Sequence, residues 1–356
     1  MQTIFRDKRI SSILGIVPDR ESLFDDEVGN YSFPVKQSMR LKKIMGFNKH
    51  RLSKASSTTS DFAVHGLLHM LDNGWLKRDE IGAVIVVTLS PDYFLPQVCN
   101  IVQGKCGLNQ DTLCLDIAQG CCGFLVGLMQ AFMLLDHMEG KKVLVINGDV
   151  LSHKGSRRDR NEFPLAGDAT TITVVENAPS AEDIYCEMLM DGSRRNMLRI
   201  PAGGFRMPST PETAEMKDQG DGNFKCLDNM FMDGNGVFTF VQTEVPEMLA
   251  HAFRETGKTA DDFDYFLFHQ PNKFMLRKLA ERAGLPEEKV PMDLVENYGN
   301  PSGASIPLTA VVDLKDELLT SKKHYCLAAF GSGLAWGTIF MDIGILEHCE
   351  LLEADL

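Results

Sequence analysis

The order of segments in the first half of the chain recurs in the second, and this internal repeat limits the fold more than any other feature. Phe62 to Asn73 carries a helical pattern and is followed by Lys77-Arg78-Asp79-Glu80-Ile81 and the apolar run Ala83 to Thr88. Val245 to Thr256 is likewise helical, followed by Thr259-Ala260-Asp261-Asp262-Phe263 and the run Tyr265 to Phe268. Cys106-Gly107-Leu108 leads through a polar turn into a predicted strand ending at Asp116, and Ala283-Gly284-Leu285 leads at the same spacing to Asp293. Lys141-Lys142 introduces Val143 to Ile146 as Lys322-Lys323 introduces His324 to Ala329, and Gly167 to Val175 and Gly333 to Met341 close the halves. Self-similarity of this kind decides architecture before any single motif does. Helices alternating with continuous apolar strands predict α/β layers with largely parallel sheets buried on both faces. The halves are expected over residues 1–176 and 177–356, and the Gly-, Pro- and Met-rich stretch from about Ala178 to Asn235 reads as an insertion in the second.

With 356 residues and 44% hydrophobic composition, the chain can bury a core of that size. No run approaches the roughly 20 apolar residues that span a bilayer, and the opening MQTIFRDKRI lacks the apolar centre of a signal peptide, so a cytoplasmic location is expected. A formal charge of −13 argues against nucleic acid as a general partner. Arg157-Arg158-Asp159-Arg160 and the set Lys273, Arg277, Lys278 and Arg282 are local basic clusters, read first as solvated surface. Nine cysteines sit in apolar segments without the paired spacing of a zinc site, so most are read as small buried hydrophobes and neither metal nor cofactor is expected.

One cysteine pair has a different setting. In DIAQGCCGFLVGLMQAF the predicted strand Leu113 to Ile117 ends in a turn of small residues, and a helical run follows from Phe124 to Leu135. Cys121 stands at that turn. A thiol beside a helix N-terminus feels the positive end of the macrodipole, which favours thiolate and predicts a lowered pKa. His269 and Asn300 stand at the ends of successive elements of the second half, and the pseudo-symmetry of the repeat would bring them towards Cys121.

From about Lys8 to Ile343 the chain resembles the β-ketoacyl-[acyl-carrier-protein] synthase III family of the thiolase superfamily. Asp116-Ile117-Ala118-Gln119-Gly120-Cys121-Cys122-Gly123-Phe124 is similar to its nucleophile loop, Phe268-His269-Gln270-Pro271-Asn272 to its histidine motif and Tyr298-Gly299-Asn300-Pro301-Ser302-Gly303-Ala304-Ser305 to its asparagine motif. Phe330-Gly331-Ser332-Gly333-Leu334-Ala335-Trp336-Gly337 is similar to the C-terminal glycine turn, and Met232-Asp233-Gly234 with Val237-Phe238 to the lead into the second half. The resemblance implies a thiolase-like fold, two pseudo-repeated halves in α-β-α-β-α layers. It also implies that Cys121 accepts an acyl group, that the backbone amides of Cys121 and Ser332 form the oxyanion hole, and that a malonyl thioester then condenses with the bound acyl group. Cysteine suits the first task as a strong nucleophile near neutral pH. For the second, decarboxylation leaves an enolate oxygen that needs donors, and neutral His269 and the Asn300 amide supply N–H groups without protonating the carbanion. Further implications are substrate contacts at Leu95 and Asn272, acyl-CoA or acyl-carrier and malonyl-carrier substrates, a homodimer built through central strands of the first half, and a place in fatty acid or related lipid synthesis; Lys273 and Arg277, four apart and so on one helix face, are expected to contact substrate by docking the acidic acyl carrier protein.

The sequence departs from the family in two places. The Trp that grips a CoA nucleotide is missing from Arg40-Leu41-Lys42-Lys43-Ile44-Met45-Gly46-Phe47-Asn48-Lys49, and Leu95, before Pro96, takes the place of a residue, often Phe, that reaches across the dimer into the acyl pocket. A hydroxymethylglutaryl-CoA synthase would need a carboxylic acid at Val87-Thr88-Leu89-Ser90, and a degradative thiolase a second cysteine where Ser332 stands; neither is present. A related acyltransferase acting on an alcohol or amine shares the same motifs, whereas a silent dimer partner would have lost Cys121, His269 or Asn300.

Overall fold

The computed structural model describes residues 1–356. Two large sheets organise it. One has six strands in the order His348–Ala354, Lys8–Pro18, Ala169–Asn177, Lys142–Asp149, Ile81–Val87 and Leu113–Ile117; the other has five, in the order Gln2–Phe5, Ile184–Met190, Ala335–Gly344, Lys322–Gly331 and Tyr265–Phe268.

The alternation of side chains along each strand separates the layers. Ile85 and Val87 face a central layer, packing with Phe124, Leu128, Ala131 and Phe132 of helix Gly123–Leu135 and with Ile306, Ala310 and Val311 of helix Ser305–Thr320. Val84 and Val86 face the other way, onto Phe62, Ala63, Leu67 and Met70 of helix Thr59–Asp72. The second sheet does the same: Leu267, Leu327 and Ala329 point to the central layer, while Phe266, Phe268, Cys326 and Ala328 pack on helices Gly234–Thr256 and Lys273–Ala283. The result is five layers, α-β-α-β-α. The central helix Gly123–Leu135 carries no charged residue, as a helix covered on both sides requires. Each fully buried Phe or Leu of these layers contributes about 1.5–3 kcal/mol.

Three expectations are corrected. The sheets are mixed rather than largely parallel: Ile81–Val87 is parallel to both neighbours, but Lys322–Gly331 and Ala335–Gly344 pair antiparallel because only Ser332-Gly333-Leu334 joins them, too short a link for a parallel crossover. Leu285 to Asp293 forms no strand to match Leu113–Ile117; prolines at 286 and 291 remove ladder donors, and the segment holds a short 3-10 turn over Glu287–Lys289. The insertion begins later than Ala178, since Ile184–Met190 is a buried strand paired with both Gln2–Phe5 and Ala335–Gly344.

Candidate active site

The loop between strand Leu113–Ile117 and helix Gly123–Leu135 holds both cysteines and separates their environments. Cys122 is the helix N-cap residue, is fully buried, and donates its S–H to the carbonyl of Ala335 at 3.1 Å. Cys121 is partly exposed and faces the glycine turn: its Sγ and Cβ both lie 2.6 Å from where a Cβ on Gly331 would stand. Burial pushes the Cys121 thiol up to about 11, against the backbone N–H groups of Ser332 and Cys121, which favour the thiolate. The expected lowering is therefore corrected. Loss of water costs a thiolate more than the two amides return. The resting group is a thiol, and its proton must leave as the acyl donor arrives.

His269 follows strand Tyr265–Phe268, with its N–H on the carbonyl of Ala328 at 2.9 Å and its ring edge-on to Phe330 at 5.6 Å. Burial pushes the imidazole down to about 3, the backbone of Ser302 working the other way, so the ring is neutral. Nδ1 lies 2.8 Å from Ser305 Oγ, and that oxygen accepts the Gln270 N–H at 3.4 Å. We assign the Ser305 hydroxyl proton to Nδ1, which leaves Nε2 carrying the ring proton. Asn300 is fixed through its backbone, whose N–H donates to Leu165 at 2.6 Å and whose carbonyl accepts from Gly167 at 3.3 Å. Its side-chain Oδ1 accepts the Ser302 N–H at 3.0 Å, leaving the Nδ2 donor free of protein partners.

These segments meet. A Cβ on Gly120 would stand 3.2 Å from Ser302 Oγ and 3.3 Å from Ser332 Oγ, and Gln119 Nε2 donates to the Ser332 carbonyl at 3.2 Å. The nucleophile loop, the asparagine loop and the glycine turn thus share one pocket with His269. Gly331 sets its width. Gly331→Ala would drive a methyl into Cys121, and acyl-enzyme formation, followed by intact mass, should fall about a hundredfold, the scale of an ångström-sized misplacement; an unchanged rate would contradict this packing.

The remaining residues are placed as follows. Leu95 is 86% exposed, beside exposed Tyr93 and Phe94, and the ring of Phe94 packs on exposed Phe205 with centroids 5.0 Å apart. Asn272 Oδ1 is occupied as the N-cap of helix Lys273–Ala283, accepting from Met275 at 2.8 Å. Lys273 pairs with Asp293 at 2.5 Å and Glu296 at 2.9 Å, and Arg277 with Glu287 at 3.2 Å, so this helix offers an acidic partner less free positive charge than its sequence promises. Arg157 and Arg158 lie over the rings of Phe163 and Phe224. Sequence reasoning missed Asp149, a buried acid beside the nucleophile loop. Its only signal is an acidic residue closing an apolar strand.

The family model for 3-oxoacyl-[acyl-carrier-protein] synthase III matches residues 115–192, and the model for its C-terminal part matches 253–343. A putative 3-oxoacyl-[acyl-carrier-protein] synthase 3 from Campylobacter jejuni is 30% identical over 354 residues, covering 99% of this chain and 98% of that one. The chain belongs to the β-ketoacyl-[acyl-carrier-protein] synthase III family. It is thus a member of a family of condensing enzymes in the thiolase superfamily. The family's β-ketoacyl-[acyl-carrier-protein] synthase III from Caldanaerobacter subterraneus is 32% identical over 295 residues, 82% of this chain and 86% of that relative. The crystal structure of a 3-oxoacyl-(acyl-carrier protein) synthase from Burkholderia xenovorans superimposes with a TM-score of 0.91 at 30% identity, covering 99% of both chains. No helix is long and apolar enough to cross a membrane.

Proposed function

We propose that this synthase III family member takes an acyl group from a thioester onto Cys121 and condenses it with the enolate formed by decarboxylating a malonyl thioester, giving a 3-oxoacyl thioester. One observation carries the reading: a thiol flanked by two backbone N–H groups shares its pocket with a neutral imidazole and with an asparagine whose Nδ2 has no protein partner. The thiol sulfur attacks the acyl carbonyl, the N–H groups of Cys121 and Ser332 hold the oxyanion, and the thiol of the donor leaves with the proton. His269 Nε2–H and Asn300 Nδ2–H then hold the enolate oxygen as carbon dioxide departs, and the enolate carbon attacks the acyl group and releases Cys121. The nucleophile belongs to the half 1–176 and the enolate donors to the half 177–356. An acyl carrier protein delivers the malonyl group, acyl-CoA or acyl-carrier loads the cysteine, and the reaction takes place in the cytoplasm as part of fatty acid or related lipid synthesis. Incubation with a panel of acyl thioesters and malonyl-carrier should yield 3-oxoacyl-carrier by mass spectrometry; acyl transfer to an alcohol or amine without that product would contradict the reading.

Tyr93, Phe94, Leu95 and Phe205 form an exposed apolar patch, and we propose that a second copy covers it, with Leu95 entering the partner's acyl pocket. Light scattering should give a dimer mass at micromolar concentration, and Leu95→Glu should shift it towards monomer; a monomeric wild type would contradict the assignment.

A further inference from the structure

The insertion that follows strand Ile184–Met190 carries a cationic cavity that the reaction above leaves unused. Its walls come from two short paired strands, Leu198–Arg199 and Phe231–Met232, and from the segment between Pro201 and Met207. Arg199 stands directly opposite Phe231, so cation and ring share one face of the pair. Arg206 lies in a tight turn closed by the bridge between Gly204 and Met207 and by the Gly203 N–H on the Met207 carbonyl at 2.9 Å. With Met207, Leu227 and Met232 these residues enclose about 480 Å³, and an adjoining hollow of about 420 Å³, lined by Arg195 as well, shares Arg199 and Arg206.

The three guanidinium groups are not neutralised by the protein. Arg194, immediately before them, pairs with Asp191 and Glu244. Arg195 and Arg199, by contrast, donate only to the Gly192 carbonyl at 3.4 Å and to Asn196 Oδ1 at 3.2 Å, and Arg206 has no partner. The one acid on the wall, Asp233, has its Oδ1 on the Gly236 N–H at 2.9 Å as N-cap of helix Gly234–Thr256. In a chain of formal charge −13, free arginines beside methionine and phenylalanine side chains suit an anion borne on a partly apolar arm.

Both edges of the cavity are fastened to the glycine turn. Asp191, which leads into the insertion, exchanges backbone hydrogen bonds of 2.8 and 2.9 Å with Leu334, two residues after Ser332. On the other edge, the helix that begins after Asp233 packs Val237 and Phe240 with Phe330 and Trp336. The cavity is therefore built on the frame that holds the turn facing Cys121.

We propose that Arg199 and Arg206 bind the phosphate on the arm that carries the incoming acyl thioester, with Met207, Phe231 and Met232 against the arm itself. The inference rests on Cys121 taking its acyl group from such a thioester. Coenzyme A and a carrier protein both present their thiol on a pantetheine arm that ends in a phosphate, and the planar guanidinium fork matches phosphate oxygens.

The test uses the full-length enzyme with Arg199→Gln, Arg206→Gln and the two together. One acyl group is offered on coenzyme A, on acyl carrier protein and on pantetheine without phosphate, and acyl-enzyme on Cys121 is followed by intact mass against donor concentration. In the double variant the concentration for half-maximal loading should rise about tenfold or more with a phosphate-bearing donor, the scale of one charge-assisted hydrogen bond. The saturating rate should be kept, and loading from the phosphate-free donor should be unchanged. A rise with coenzyme A alone assigns the cavity to the nucleotide-borne phosphates, and a rise with the carrier donor assigns it to the phosphodiester of the carrier arm. An equal rise with all three donors, or no rise with either phosphate-bearing donor, would overturn the proposal. If the double variant does not fold, the single variants make the same comparison. Failure of the wild type to load from any of the three donors would instead sink the acyl-transfer reading, and this inference with it.

Discussion

Cys121→Ala should form no acyl-enzyme, detected as loss of the acyl mass increment, while still releasing carbon dioxide from a malonyl thioester. The sulfur of Cys122 cannot replace it, because that side chain is buried and its S–H is bound to Ala335. The residual release is expected because the enolate donors belong to other loops: His269 is held by Ser305, and Asn300 by Leu165, Gly167 and Ser302. In the wild type, burial holds the Cys121 thiol up at about 11. A raised thiol pKa means that the reactive anion is the minority form throughout the neutral range. Alkylation of Cys121 should accordingly accelerate about tenfold per pH unit from pH 7 towards 10, each unit corresponding to about 1.4 kcal/mol; a plateau near pH 8 would show that the two amides outweigh burial. Acyl-enzyme on Cys121→Ala would mean that the nucleophile is misassigned.

Asn300→Ala should leave acyl loading intact and lower condensation by about a hundredfold or more, the usual scale for losing one preorganised donor to an oxyanion. His269→Ala should behave alike, with the two losses read separately as acyl-enzyme by mass and as carbon dioxide release. Burial keeps the imidazole neutral, its pKa pushed down to about 3, so no titration of His269 should appear in the condensation rate between pH 6 and 8. Normal condensation by Asn300→Ala would remove the decarboxylative reading and favour an acyltransferase acting on an alcohol or amine.

The parts of this site visible in the sequence are those that lie on local patterns. The small-residue turn at Cys121 could be read because strand, turn and helix are contiguous, and His269 and Asn300 because the repeat puts them at element ends. The five layers likewise follow from apolar runs that alternate with helices. What the sequence hid depends on neighbours distant along the chain. Asp149 lies 61 residues from its partner Thr88, so a search of the strand end for an acid finds none. The Cys121 pKa runs against its local setting because the dipole of the following helix is legible in the sequence whereas desolvation is set by the whole fold. Lys273 and Arg277 look free on a helix of mixed charge, but their carboxylate partners come from residues 10 to 23 positions further on. Ile184–Met190 is hard to read as a strand because polar and glycine-rich segments follow it, although it pairs with a strand on each side.

The most direct test of the central claim is a single turnover. Enzyme loaded with an acyl group on Cys121 and freed of excess donor is mixed with a malonyl thioester, and acyl-enzyme, carbon dioxide and 3-oxoacyl product are followed together. The two-step account predicts that loss of the acyl increment, release of carbon dioxide and appearance of product proceed in equal amounts and at one rate. Loss of the acyl group without carbon dioxide, or carbon dioxide released while the acyl group stays on Cys121, would contradict it.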